Sequence, residues 1–119
     1  MPSYLFSDFK LCCIENPKSV IPWKDALDDA SYFGLKTKSA LLNFIGNDGL
    51  ENLMFINTKK WEENPNKSLT IFVDAYEFTS LYRFGYIAFF YNKNTGYWNI
   101  KSFKPSKSSK AIFLTCSEC

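Results

Sequence analysis

The sequence of 119 residues contains no histidine, and this absence narrows the chemistry that the chain can perform. It excludes acid or base catalysis by imidazole, and it excludes metal binding through imidazole nitrogens. An enzyme with this composition would have to use the side chains of lysine, arginine, tyrosine, aspartate, glutamate, serine or cysteine.

Long hydrophobic runs are also absent, so no segment of the sequence is expected to cross a bilayer. Residues 1–8 lack the basic start and the small-residue cleavage site of a secretory signal peptide. We therefore expect a cytoplasmic protein without a membrane partner. Since 46% of the residues are hydrophobic and 18% are aromatic, residues 1–119 are expected to form a single globular domain.

Cysteine is scarce, and its four residues stand in two pairs. Cys12 and Cys13 are adjacent, so they cannot easily direct both sulfurs to one tetrahedral zinc ion. Cys116 and Cys119 stand at the end of the chain, without the helix N-terminus that would lower a thiol pKa in a redox pair. We expect idle or buried thiols, no metal site and no cofactor.

The first part of the chain has the apolar spacing of helices. Residues 3–14 are predicted to form a helix with Ser3 as its N-cap, although their pattern also permits a strand. Residues 23–33 have apolar positions at the i, i+3, i+4 and i+7 spacing of a helix. A third helix is predicted over residues 37–46, with Thr37 as its N-cap.

The rest of the chain favours strands. They are predicted over residues 53–56, 69–73, 86–91 and 97–100, with a further strand over residues 111–114. Residues 92–96 end in glycine and predict a hairpin connection. Helices followed by a mostly antiparallel sheet predict an α+β domain, with a helical part over about 1–46 and a sheet part over about 53–115.

Charge is unevenly distributed along the sequence, although the formal net charge is only +2. Residues 78–117 contain six basic and no acidic side chains, and most acids lie earlier, among them Asp25, Asp28, Asp29, Glu62 and Glu63. The basic residues are Arg83, Lys93, Lys101, Lys104, Lys107 and Lys110. This segregation suits a polyanionic partner, and an ordinary solvated face is the alternative.

The strand that begins at Tyr97 raises a question at its end. Read at period two, Trp98 and Ile100 share one face, and the same face continues to Ser102 and Lys104. Burying an unpaired ammonium group is costly. Lys104 is therefore either a solvated strand end or a side chain that points into a polar cleft.

Several segments, taken in order, resemble one family. Residues 2–10 resemble the opening of its first helix, and residues 25–35 (DALDDASYFGL) resemble its ALxxAxxLGL helix. Residues 73–76 (VDAY) stand where the family carries a QDVY strand, and Tyr86 follows at the same ten-residue interval. Residues 100–104 (IKSFK) stand at its terminal VSFK. The chain thus resembles the MqsR-type toxins of the RelE-like superfamily.

The resemblance implies a fold and a function. The fold would have N-terminal helices packed on a curved, mostly antiparallel RelE-like sheet. The function would be that of the toxin in a type II toxin-antitoxin system, a metal-independent endoribonuclease (mRNA interferase) that cleaves single-stranded mRNA. Its partners would be that mRNA and a cognate antitoxin protein.

The resemblance also implies site residues. Lys104 and Tyr86 match the catalytic lysine and tyrosine of the family, and Lys60, or its neighbour Lys59, matches a second catalytic lysine. Each assignment has a structural alternative. Tyr86 could be a half-buried strand tyrosine, and Lys59 and Lys60 could be solvated loop charges. Candidate RNA-binding residues are Lys59, Arg83, Lys101 and Lys107. Lys101 is expected on the opposite strand face from Lys104, where it would meet solvent or the antitoxin.

RNA cleavage without histidine would depend on charge and positioning. The 2′-hydroxyl must lose a proton, and the charge that develops on the phosphate must be stabilised. Nearby cations would stabilise that charge and lower the pKa of a neighbouring phenol. Val73 replaces the glutamine of the family pattern, so a catalytically weakened RNA- or protein-binding regulatory module is the alternative function.

Overall fold

The computed structural model describes residues 1–106, with three α-helices and five strands. The helices are α1 (Phe6–Glu15), α2 (Lys24–Ala30) and α3 (Lys38–Gly46), with short 3-10 helices at Pro17–Ser19 and Ser31–Phe33. The strands are β1 (Val20–Pro22), β2 (Glu51–Lys60), β3 (Phe72–Ser80), β4 (Arg83–Asn92) and β5 (Tyr97–Pro105).

The strands form one sheet with the order β1-β5-β4-β3-β2. Strand β1 runs parallel to β5, and the other neighbouring pairs are antiparallel. The helices pack against one face of this sheet, which confirms the predicted α+β class. None of the helices within residues 1–106 is long and apolar enough to cross a membrane.

The main core lies between the helices and this helix face of the sheet. Aromatic side chains fill much of it, and the Phe9 ring of α1 stacks on the Phe89 ring of β4 with centroids 4.1 Å apart. Gly85 lies directly against the Phe78 ring, so a larger residue there would displace that ring. Burial of these rings holds β4 in place against the helices.

The predicted N-cap residue is correct for α3 and wrong for α1. The Thr37 side chain accepts a hydrogen bond from the Ala40 N–H at 3.0 Å, so Thr37 is the N-cap of α3. Helix α1 begins at Phe6, and the prediction of Ser3 as its N-cap is wrong. The Ser3 N–H instead donates to the buried carboxylate of Asp74, which fixes the start of the chain to β3.

The strands differ from their predicted extents. Strand β3 begins at Phe72 and runs to Ser80, whereas the sequence predicted a strand over residues 69–73. Leu81 and Tyr82 form the β3–β4 turn with φ angles of 49° and 68°, in a region that usually needs glycine or asparagine. The predicted hairpin at residues 92–96 is present. The predicted strand over residues 111–114 lies outside the described residues.

A β-bulge in β5 changes the direction of its side chains. Ala88 pairs with Ser102, and Phe89 pairs with Ile100, so Lys101 is an extra residue on β5. Ile100 therefore faces the helices, whereas Ser102 faces away from them. The prediction that Lys104 shares the face of Trp98 and Ile100 is wrong, because the bulge shifts the alternation by one residue.

Candidate functional site

The sheet face opposite the helices contains a cavity of about 640 Å³. We call this side of the sheet the open face. The cavity is lined by residues of β2, β3, β4 and β5 and of the loop after β2: Asn57, Lys59, Lys60, Trp61, Glu62, Glu63, Val73, Ala75, Tyr86, Ala88, Lys101 and Ser102. Its volume is in the range of small-molecule and cofactor sites.

Small side chains produce this concavity. Ala75 and Ala88 are paired across β3 and β4, and both are buried under the cavity. Strand pairing continues this row to Asn57 on one side and to Ser102 on the other. A flat apolar surface two strands wide, which we call the alanine floor, is thus bordered by an amide and a hydroxyl.

Tyr86 and Lys104 lie on the same face of the sheet. They are paired directly across β4 and β5, and the Lys104 Nζ lies 5.4 Å from the centroid of the Tyr86 ring. A cation at this distance is attracted to the face of the ring. Tyr86 lines the cavity, and Lys104 extends the polar surface beyond the lining residues.

Lys59, rather than Lys60, has the strand position that faces the cavity. Lys59 is paired with Val73, which lines the cavity, whereas Lys60 is paired with Phe72 on the alternate position. Lys60 reaches the rim because β2 ends there. Lys101 also lines the cavity, so the prediction that it faces away from the site is wrong. The bulge places Lys101 and Ser102 together opposite Ala88.

Two carboxylates share the cavity with the lysines. Glu62 and Glu63 follow β2 and line the cavity together with Lys101 from β5. Although these acids precede the basic segment in the sequence, the loop after β2 brings them to the open face beside Lys101. The resulting site carries both signs of charge, so it is suited to a ligand that combines anionic and hydrogen-bond donor groups.

Burial determines the protonation of Tyr86. It raises the pKa of the Tyr86 phenol above its usual value, which contradicts the expectation that neighbouring cations lower it. Within residues 1–106 the Tyr86 hydroxyl has no hydrogen-bond partner. At neutral pH this phenol therefore keeps its proton, and its hydroxyl is available to donate a hydrogen bond to a ligand.

One predicted RNA-binding residue, Arg83, is not part of the cavity. The Arg83 Nη1 donates to the carbonyl oxygen of Tyr32 at 2.8 Å, and the guanidinium carbon lies 5.2 Å from the centroid of the Tyr32 ring. These contacts hold Arg83 at the far end of β4. Lys107 lies outside the described residues.

Cys12 and Cys13 lie next to each other at the helix face of the main core. Cys13 is buried in the main core, and burial raises the pKa of its thiol to about 12. Cys12 is half-buried beside it, and both are free thiols. Cys116 and Cys119 lie outside the described residues.

Trp61 is a lining residue that sequence analysis did not single out. Its ring lies 4.5 Å from the Phe90 ring, centroid to centroid, and its indole N–H is buried without an acceptor among residues 1–106. Trp61 directly follows the candidate residues Lys59 and Lys60 in the sequence, and this position was the only sequence feature that could have indicated its place in the cavity. Buried indole N–H groups usually find a partner, so this unused donor marks the cavity wall as unusual.

No protein-family model, no curated protein and no solved structure matches the chain. The resemblance to MqsR-type toxins stays a prediction.

Proposed function

We propose that the protein binds single-stranded RNA in the cavity of the open face and cleaves it as an endoribonuclease. The pairing of Tyr86 with Lys104 beside a lysine-lined cavity supports this function most strongly. Lys59 and Lys101 lie on opposite sides of that cavity, so the successive phosphates of a strand that crosses it would meet cations from both β2 and β5. The MqsR-type resemblance points to the same class of reaction.

The proposed reaction is a transesterification within the RNA strand, in which solvent water accepts the proton of the 2′-hydroxyl and returns a proton to the 5′-oxygen. The 2′-oxygen of a ribose attacks the adjacent phosphorus, and the bond from phosphorus to the 5′-oxygen breaks. The products are a 2′,3′-cyclic phosphate and a free 5′-hydroxyl, and the proton lost by the 2′-hydroxyl is balanced by the proton gained at the 5′-oxygen. Tyr86 donates a hydrogen bond to a phosphate oxygen, while Lys59, Lys101 and Lys104 stabilise the developing charge.

A single 2′-deoxy substitution tests the proposed reaction. An oligonucleotide of RNA is expected to be cut, whereas the same oligonucleotide with deoxyribose at the cleaved position is expected to bind and stay intact. Mass spectrometry of the fragments should show a 2′,3′-cyclic phosphate. Equal cleavage of the deoxy substrate, or fragments that carry a 5′-phosphate, would contradict attack by the 2′-hydroxyl.

RNA binding should depend strongly on salt. If Lys59, Lys101 and Lys104 each neutralise one phosphate, the logarithm of the association constant should fall with that of the salt concentration with a slope of about −2.1. Lys101→Ala should reduce this slope by about 0.7. Lys93→Ala, in the exposed hairpin at residues 92–96, is the matched control and should leave it unchanged. A flat dependence for the unaltered chain would exclude RNA as the ligand.

A non-catalytic RNA-binding module is the second candidate function, and Val73 favours it. Val73 lines the cavity and has no polar group, so it cannot orient a phosphate as the glutamine of the family pattern would. Val73→Gln would place an amide in the cavity rather than in the helix-side core. Cleavage that appears only with Val73→Gln would identify the natural chain as this binding module.

The proposed function includes a protein partner and a location. A toxin of this kind would be held inactive by a cognate antitoxin in the cytoplasm, and this part of the proposal follows from the resemblance. Co-expression with the product of a neighbouring reading frame, followed by purification of a complex, would test it. Growth inhibition that the neighbouring product does not relieve would contradict it.

A further inference from the structure

We propose that the alanine floor is a subsite for one unpaired nucleobase, and that it prefers bases with an exocyclic amino group. The inference rests on the proposed function, because the base is delivered by RNA bound in the same cavity. It assigns to Asn57, Glu62 and Glu63 the recognition of the base, whereas the lysines contact phosphate.

The shape of the cavity suits a planar ring. Ala75 and Ala88 present only methyl groups, and neighbouring strands lie about 4.8 Å apart, so the floor has the width of a base. Asn57 and Ser102 border the floor in the same row. Proteins that recognise single-stranded RNA place unstacked bases on apolar or aromatic surfaces and form hydrogen bonds to their edges.

The hydrogen-bonding groups around the floor are available to a ligand. Within residues 1–106 the Asn57 amide has no hydrogen-bond partner, so its donor and its acceptor are both unused. The carboxylates of Glu62 and Glu63 form no ion pair in the same part of the chain.

The carboxylates determine which base is preferred. Ionised carboxylates only accept hydrogen bonds, and they repel phosphates, so they weaken a site that binds phosphate alone. They fit the amino groups of cytosine, adenine and guanine, and guanine offers the adjacent N1–H and N2–H₂ donors to one carboxylate. Uracil has no amino group, and its carbonyl oxygens would face the carboxylates unfavourably.

The loop that carries these carboxylates is held without a ligand. The Trp61 backbone N–H donates to the Ile71 backbone carbonyl oxygen at 2.7 Å, and the Lys67 Nζ donates to the Glu62 backbone carbonyl oxygen at 2.6 Å. The buried Asn64 amide donates to the Leu69 carbonyl oxygen at 2.6 Å. These bonds fix the backbone of the loop, so binding a base needs to order only the exposed side chains of Glu62 and Glu63.

Titration with the 5′-monophosphates of guanosine, cytidine, adenosine and uridine tests this subsite. Amide chemical shifts in ¹⁵N-labelled protein give each dissociation constant, including values in the millimolar range. We expect the guanosine nucleotide to bind about tenfold more tightly than the uridine nucleotide. The Glu62→Gln/Glu63→Gln variant should lose this preference and bind the uridine nucleotide more tightly. Asn57→Ala should weaken the binding of those nucleotides whose base has an amino group.

A charge-matched control separates base recognition from general electrostatics. Asp8→Asn/Glu15→Gln removes two negative charges from α1, outside the cavity, and should keep the preference for guanosine. Equal affinity for all four nucleotides, no detectable binding, or a preference that survives Glu62→Gln/Glu63→Gln would overturn the subsite. Cleavage of RNA without base preference would overturn the subsite alone, and preference without cleavage would overturn only the nuclease.

Discussion

Tyr86→Phe is expected to slow cleavage of single-stranded RNA by about 10²- to 10³-fold, the usual effect of removing one donor to a developing oxyanion. The ring stays in place, because phenylalanine keeps the packing and the cation–π contact with Lys104. Only the hydroxyl is lost, and within the described residues it has no other partner. Single-turnover cleavage of a labelled oligonucleotide measures the effect.

The affinity for RNA separates a catalytic role of Tyr86 from a binding role. We expect Tyr86→Phe to change the dissociation constant by less than about twofold, since the hydroxyl acts mainly in the transition state. Tyr97→Phe removes a hydroxyl from an exposed tyrosine of β5 and serves as the matched control. A Tyr86→Phe variant that is folded and cuts RNA at the parental rate would show that this tyrosine is structural.

The pKa of Tyr86 adds a pH test to this prediction. Burial raises the pKa, so the phenol keeps its proton through neutral and moderately alkaline pH. The ratio of the parental rate to the Tyr86→Phe rate should therefore be constant between about pH 7 and pH 9. A ratio that rises with pH over this range would indicate a phenolate base.

Asp74→Asn is expected to lower the free energy of unfolding by about 2–3 kcal/mol, the largest effect on stability that we predict. The Asp74 carboxylate is fully buried and accepts the backbone N–H groups of Ser3 and Tyr4 at 2.9–3.0 Å. Asparagine would keep one acceptor and would turn an NH₂ group toward these donors.

Denaturant unfolding monitored by tryptophan fluorescence measures this loss. Asp8→Asn, at an exposed position in the first turn of α1, makes the same chemical change without a buried contact. Its expected effect is below about 0.5 kcal/mol. If Asp74→Asn unfolds at the same denaturant concentration as the parent, the carboxylate does not anchor the start of the chain.

The sequence predicted those features that depend on neighbouring residues. Thr37 precedes a helical apolar pattern, and a cap needs only the amides of the next turn. The hairpin at residues 92–96 ends in Gly96, whose φ angle of 76° suits glycine. The α+β class followed from the order of these local patterns.

The missed features depend on contacts between distant parts of the chain. A bulge in β5 places Lys104 on the opposite sheet face from the one predicted. A bulge is defined by the pairing of β5 with β4, and the sequence of β5 alone does not show it. Glu62 and Glu63 are distant in sequence from Lys101, yet the loop after β2 brings them to one cavity. Ser3 was predicted as a helix cap because its strongest partner, Asp74, lies 71 residues away.

The central claim is that RNA occupies the cavity above the alanine floor, and the affinity of Ala88→Leu for single-stranded RNA tests it most directly. Leucine at this position would project into the cavity and fill the floor, whereas Ala88→Ser, the matched control, keeps the side chain small. With melting temperatures near that of the parent, we expect Ala88→Leu to bind about tenfold or more weakly and Ala88→Ser to bind as the parent does. A folded Ala88→Leu variant with parental affinity would contradict the claim, because RNA would then bind elsewhere on the protein.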